Sequence, residues 1–422
     1  MNKNESGRQK IRNAAAQIPE PHILASKEVA SRIQVGHVVL LGAMMAIGPL
    51  STDMYLPALP VLSHELGATM SQTQITLTAT LLGMALGPLL IGPLSDARGR
   101  RGPLLIGMSC YVVLSLLCLI AHSIGLLIVL RFAQGFAASA GIVIALAIAR
   151  DLYAGRALAR CVSLLMMVNF LAPIVAPVLG GLLLSFTSWR GVFVSLALFG
   201  IALVLVVAFG LSETLPPARR QDGGFSASLA EFRFLLFNGR FVGCALSLGF
   251  TFTAIFVYIA SSPFIFENIY GLSPQSTSLV FGVIALGIPI TAQLNARLLT
   301  RISAQELLIW GASAIALGSI ALIAAVITGV GLIGVLPSCF LIVTSVGLIT
   351  PNATALALSK ARAAGSASAL LGVLQIGLAV VVAPLIGLAG SKSALPMAAT
   401  IAGSGLATLL TVVVLSRSGK GN

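Results

Sequence analysis

Two ionisable side chains stand inside otherwise apolar stretches of the chain: Asp53 within residues 37–62 and Arg131 within 125–149. Asp53 is the only acid well inside such a stretch, and Arg131 the only base. At the centre of a membrane helix either charge costs roughly 2.5–3.5 kcal/mol on insertion scales. A carboxyl group kept there is a natural proton site, whereas a bare ion pair would only clamp two helices. Asp53 lies nine residues before Leu62, roughly 13 Å along a helix, and Arg131 six residues after Gly125, roughly 9 Å. If the two stretches face each other, the long arginine side chain spans the difference. Pro49, Pro57 and Pro60 flank the acid. Each removes a backbone donor and bends a helix, and irregular backbone at membrane depth belongs beside a cavity rather than lipid. Tyr55 and Gln134 join Asp53 and Arg131 in the expected proton and substrate site, with Asn169, Asn352 and Gln375 as further polar cavity residues.

Other chemistries lack their residues. The histidines (His22, His37, His64, His122) fall in the N-terminal tail or at the ends of apolar stretches, so neither a Ser/His arrangement nor a metal set is formed. No GxxxxGK[ST] loop for nucleotide phosphates occurs. The five cysteines lie in apolar segments without a CxxC pair and read as small core residues. The sequence therefore predicts neither an enzyme nor a cofactor or metal site.

These residues must be held by an apolar scaffold. The 422-residue chain is 57% hydrophobic and 9% charged, against about 25% charged in ordinary soluble domains. Such a chain needs lipid as solvent. Apolar windows of roughly 20 residues predict twelve transmembrane helices, at 37–62, 73–94, 103–121, 125–149, 161–184, 190–211, 241–266, 276–299, 304–327, 331–358, 364–389 and 394–416. The glycine-rich stretch 311–350 has the least distinct boundary. With both termini cytoplasmic, all Lys and Arg except Arg131, Arg190 and Lys392 fall in cytoplasmic segments, which matches the positive-inside rule. The net charge of +13 thus reports topology, and the basic residues form no single patch for nucleic acid. Residues 1–35 read as a mobile cytoplasmic tail, 36–211 as a six-helix half, 212–240 as a polar linker, 241–416 as a second six-helix half and 417–422 as a short tail.

Several motifs then become specific. Gly92-Pro-Leu-Ser-Asp96-Ala-Arg98-Gly99-Arg100-Arg101, between the second and third stretches, resembles the loop motif of the major facilitator superfamily. Gly92 suits close helix approach, Gly99 a tight turn, and Asp96 a pairing with nearby arginines or with the start of the eleventh helix near Ser366 and Ser368. The family has a base directly after the acid, where this chain has Ala97. The matching loop of the second half, Asn295 to Arg301, lacks the acid and the glycine, so a one-sided cytoplasmic latch is expected. Arg131-Phe-Ala-Gln134-Gly135, followed by Ala138 and Gly141 at spacings of three, resembles the fourth-helix motif whose arginine is associated with proton transfer. Pro173, Pro177, Gly180 and Gly181 resemble the fifth-helix motif of drug/proton antiporters. Ser51-Thr-Asp53-Met-Tyr55-Leu-Pro57-Ala-Leu-Pro60, Thr350-Pro351-Asn352 and Gly365 to Gln375 are similar to bicyclomycin/chloramphenicol-resistance (Bcr/CflA) exporters.

The resemblance implies an all-α major facilitator fold of two six-helix halves. It also implies a proton-coupled antiporter exporting small toxic compounds across the cytoplasmic membrane, with the proton gradient as energy source. Export of an endogenous metabolite, such as a sugar or amino-acid derivative, is the alternative. The expected partners are small-molecule substrates, protons and membrane lipids, with a functional monomer.

Overall fold

A backbone amide in hydrocarbon has no water partner, so a chain this apolar satisfies its peptide groups within helices. The computed structural model describes residues 34–217, 220, 233–359, 364–387 and 393–418, and these are all-helical apart from turns. Most of the expected tails (1–33 and 419–422) and the centre of the linker (218–219 and 221–232) lie outside the described residues.

The first span is made of α1 (Val35–Asp53), a 3₁₀ turn (Leu56–Ala58) and α2 (Leu59–Glu65). The rest of the first half is α3 (Met70–Arg98), α4 (Arg101–Leu119), α5 (Ile124–Leu152), α6 (Gly155–Leu184) and α7 (Arg190–Gly210). The second half holds α8 (Gly239–Asn268), α9 (Pro274–Ala285), α10 (Gly287–Leu298), α11 (Ala304–Thr328), α12 (Leu332–Leu358), α13 (Ala364–Gly387) and α14 (Leu395–Ser418). With α1 and α2, and likewise α9 and α10, counted as one span, the described residues make twelve. Eleven are long and apolar enough to cross a membrane, and α13 carries a shorter apolar helix, Leu370–Val380.

Local chemistry sets the element ends. Thr69 with Gln72, and Ser303 with Glu306, close reciprocal capping boxes at the starts of α3 and α11. Pro289 has no N–H for the Ala285 carbonyl, and the eighth span breaks there into α9 and α10. The turn in the glycine-rich 311–350 stretch falls at Gly329 and Gly331, both at φ 68°.

Packing within the first half depends on glycine. A Cβ on Gly83 would lie 2.2 Å from the Phe132 carbonyl oxygen, and one on Gly135 would lie 2.0 Å from the Thr80 carbonyl oxygen. Helices α3 and α5 therefore meet backbone to backbone. Gly141 faces elsewhere, toward the Met44 carbonyl of α1, so the small-residue face of α5 is shared between two neighbours. Gly92 is not at a close approach, its nearest neighbour being a Val143 methyl at 4.0 Å.

The halves meet through α3 against α13, α6 against α9, and the α2 region against α8 and α9. Gln74 Nε2 donates across this boundary to the Ala260 carbonyl and to Ser261 Oγ, each at 3.1 Å. Gly181 of α6 opposes Ser278 of α9. Gln74, near the start of α3, and Gly181, near the end of α6, lie at the helix ends away from Arg98, Arg100 and Arg101.

Gly135→Ala drives a methyl group into the α3 backbone and should cost about 1–3 kcal/mol by overpacking. Gly403→Ala adds a methyl group where nothing lies within 4 Å and should be neutral. Thermal melts of the two variants in detergent compare them directly.

Candidate functional site

The break in the first span is built by prolines. Pro57 offers no N–H to the Asp53 carbonyl, so α1 ends at Asp53 and its last carbonyls lack intrahelical partners. Asp53 is half-buried at this break, and its Oδ1 accepts a hydrogen bond from Thr52 Oγ1 at 3.0 Å.

Arg131 reaches the same break from α5 and is fully buried. Its Nη2 donates to the Ser51 carbonyl, one of the freed oxygens, at 2.7 Å. Its Nη1 donates to Gln134 Oε1 at 2.6 Å, one helical turn away. The guanidinium lies over Tyr55, 4.8 Å from the ring centroid, and 5.6 Å from that of Phe193. Gln134 Nε2 donates onward to Ser115 Oγ at 2.7 Å, and Ser51 shares a 2.7 Å hydrogen bond with the Tyr111 hydroxyl. The first, third and fourth spans are thus joined by one buried polar network.

The first and fourth spans do face each other, as the depth of the two charges requires. An Asp53–Arg131 ion pair is not among the salt bridges of the described residues. Arg131 instead takes the carbonyl two residues earlier, and its Nε has no partner. Tyr55 is buried as the platform beneath the guanidinium, and its hydroxyl accepts from Thr76 Oγ1 at 3.3 Å.

The loop between α3 and α4 forms a second network. Arg100, not Arg98, is its centre: the guanidinium pairs with Asp96 and, at 2.9 Å, with Asp151 at the end of α5, and it also donates to Ser95 Oγ. Glu213, just past α7, accepts from the Arg100 and Arg101 backbone N–H groups at 2.8 and 3.2 Å, capping the start of α4. Arg101 donates to the Ala208 carbonyl. Gly99 takes φ 95°, and a Cβ there would lie 2.5 Å from the Glu213 carboxylate. Arg98 is exposed and stays outside the network. The side chains of Ser366 and Ser368 lie outside the described residues.

Pro173 and Pro177 sit inside a continuous α6. The adjacent glycines point to different neighbours: Gly180 lies against the Met54 carbonyl next to the break, and Gly181 against Ser278 of the other half. Asn169 and Gln375 are half-buried, with no hydrogen bond among the described residues. Asn352 is 1% exposed and donates to Asn295 Oδ1 at 2.6 Å, which ties α12 to α10. Its amide nitrogen also donates to the Leu348 carbonyl at 2.7 Å, so both bonds stay within the second half.

Sequence reading missed Asp151, Glu213 and Glu267. Asp151 and Glu213 stand at span ends, where charge is ordinary, and nothing local marks them as partners of a loop far away in sequence. Glu267 falls one residue beyond the expected seventh span but within α8, and its Oε1 is buried without a hydrogen bond.

Partial burial pushes the Glu213 carboxyl upward, but the N–H groups of Leu215, Arg100, Arg101 and Thr214 hold it below its ordinary 4.5. A carboxyl depressed in the fold stabilises above its unfolded value, and that contribution is lost as pH falls through the folded value. Glu213→Gln should therefore lower the melting temperature at neutral pH, at the scale of a lost helix cap, about 1 kcal/mol. It should also flatten the decline of the melting temperature below about pH 4.5 relative to the parent protein.

Comparison with known proteins fits this geometry. Residues 41–384 match the family described as the Major Facilitator Superfamily. The chain is 39% identical over 363 residues to the uncharacterized MFS-type transporter YdgK of Bacillus subtilis, covering 85% of this chain and 90% of the relative. It is 27% identical over 368 residues to a bicyclomycin resistance protein homolog of Haemophilus influenzae, covering 86% and 92%. The xylose transporter XylE from E. coli, in a partially occluded inward-open conformation, superposes with a TM-score of 0.71 over 90% of this chain and 97% of that one, at 14% identity. The match of residues 41–384 and the 39% identity to an MFS-type transporter over most of both chains place this chain in the major facilitator superfamily, whose members are cofactor-free secondary transporters driven by ion gradients rather than enzymes.

Proposed function

We propose that this protein is a proton-coupled antiporter that exports small toxic compounds across the cell membrane by alternating access between its halves. The carrying observation is the position of Asp53. A half-buried carboxyl, engaged by a neighbouring hydroxyl, sits at a helix break two residues from the carbonyl that holds a buried arginine. A carboxyl at such depth needs a cavity or a partner rather than lipid. The similarity to a bicyclomycin resistance homolog supports the choice of cargo.

In this reading Asp53 alternates between holding a proton and interacting with cargo or Arg131. Arg131 is always charged and keeps one guanidinium N–H without a partner, so an ionised Asp53 is drawn toward it. A proton or a cationic cargo at Asp53 relieves that attraction. Asn169 and Gln375 supply unengaged amides for cargo. The arginine-rich side is cytoplasmic by the positive-inside rule, and the network around Arg100 holds the cytoplasmic ends of the first half together as a latch. The contacts of Gln74 and Gly181 between the halves then lie on the outer side.

Asp53→Asn should abolish dye or drug efflux that collapses with a protonophore, while the protein still reaches the membrane folded. Full energy-dependent efflux by that variant would overturn the assignment.

With Asp53 as the one acid that exchanges a proton, the energetics are set at one proton per molecule. Moving one charge through 100 mV is worth about 2.3 kcal/mol, and one pH unit about 1.4 kcal/mol. A neutral cargo uses both terms, a monovalent cation only the second. Proteoliposomes with separately imposed voltage and pH gradients should export neutral compounds with strong voltage dependence and monovalent cations with little.

A further inference from the structure

A crevice of about 290 Å³ opens on the membrane-facing side of α3, α4 and α5, below the arginine-rich loop. Leu94, Ile106, Cys110 and Phe136 line it, with Gly102 and Arg98 at its mouth. Leu94 is 39% and Ile106 68% exposed, which on a membrane-spanning helix means exposure to lipid tails. From Gly102 to Cys110 the crevice follows α4 for eight residues, roughly 12 Å into the hydrocarbon. It is formed where Gly107 presses against Ala140 of α5, while the space beside Gly102 is empty within 4 Å.

Among the described residues, the charge at the mouth has no counter-charge. Asp96 and Asp151 are both engaged by Arg100, and Glu213 by backbone N–H groups. Arg98 has no hydrogen bond or ion pair among the described residues. The last residue of α3 is thus a free guanidinium at the level where the membrane-spanning helix ends, above an apolar slot. A free phosphate ion could use the first feature only, and a neutral hydrocarbon the second only.

We propose that this crevice binds one anionic phospholipid from the leaflet on the arginine-rich side. Its headgroup phosphate sits on Arg98, and one acyl chain runs along α4 toward Cys110 and Phe136. The lipid supplies the counter-charge that no acid among the described residues offers to Arg98, and it fills the slot between three helices of the first half.

Cys110 provides the probe, because it is exposed whereas the other four cysteines are buried. The full chain, labelled there with a small thiol-reactive fluorophore, is reconstituted in phosphatidylcholine vesicles. Part of the lipid carries bromine on the acyl chain, as phosphatidylglycerol in one series and as phosphatidylcholine in the other, at equal mole fractions. Quenching should show phosphatidylglycerol enriched at Cys110 about fivefold over its bulk fraction, the preference that one basic residue near a membrane surface confers. Arg98→Gln, at an exposed side chain without partners, should abolish the enrichment. Gly102→Leu, which fills the mouth and leaves Arg98 in place, should abolish it too. Added inorganic phosphate should leave it unchanged. Equal quenching by the two lipids in the parent protein, or a preference that survives either substitution, would overturn the proposal. Competition by inorganic phosphate would assign Arg98 to a soluble anion instead.

Discussion

The charge of Arg131, fully buried in the first half with no carboxylate as its partner, constrains everything around it. A guanidinium cannot neutralise itself by releasing a proton, so the fold must bring acceptors to it. One is the Ser51 carbonyl, in the last turn of α1 where the helix ends at Asp53. Another is Gln134, held in place by Ser115. The face of Tyr55, on the far side of the break, completes the shell as a cation–π partner. Helix break, buried arginine and half-buried acid therefore form one structural unit, and none of the three is explained without the other two.

That unit needs helices at close range, and glycine supplies the range. Gly135 lies one residue after Gln134 and puts α5 against the α3 backbone, while Gly180 brings α6 against the Met54 carbonyl immediately after Asp53. Gly181 faces the opposite half. Adjacent positions on α6 thus contact the acid-bearing span on one side and the second half on the other.

The network around Arg100 acts at the other end of the same helices. Asp96 lies in the last turn of α3, Asp151 in the last turn of α5 and Glu213 follows α7, and all three converge on Arg100 or on its backbone. Three carboxylates drawn to one short segment fix the relative heights of α3, α4, α5 and α7. The arginine-rich loop is in this sense a brace for the first half, and the same saturation of acids leaves Arg98 free to face the lipid. In the second half the equivalent position carries Asn295, which binds Asn352 in a neutral pair, so the two halves are braced differently.

Composition and spacing alone determined the membrane environment, the approximate positions of the spans, the helix break at Asp53 and the standing of Asp53 and Arg131 as charges within spans. These properties are local: twenty apolar residues, a proline four residues after a carbonyl, or a lone acid in an apolar window each carry their own physical consequence. Partner choice was decided by tertiary structure. Arg131 bonds to a carbonyl rather than to Asp53, Arg100 rather than Arg98 collects the acids, Gly83 rather than Gly92 permits the close approach, and Asn352 is spent on Asn295. Each of these outcomes turns on ångström-scale distances between segments far apart in the chain. Helical periodicity shows which side chains share a face, but the rotation and height at which two helices pack show which of them meet.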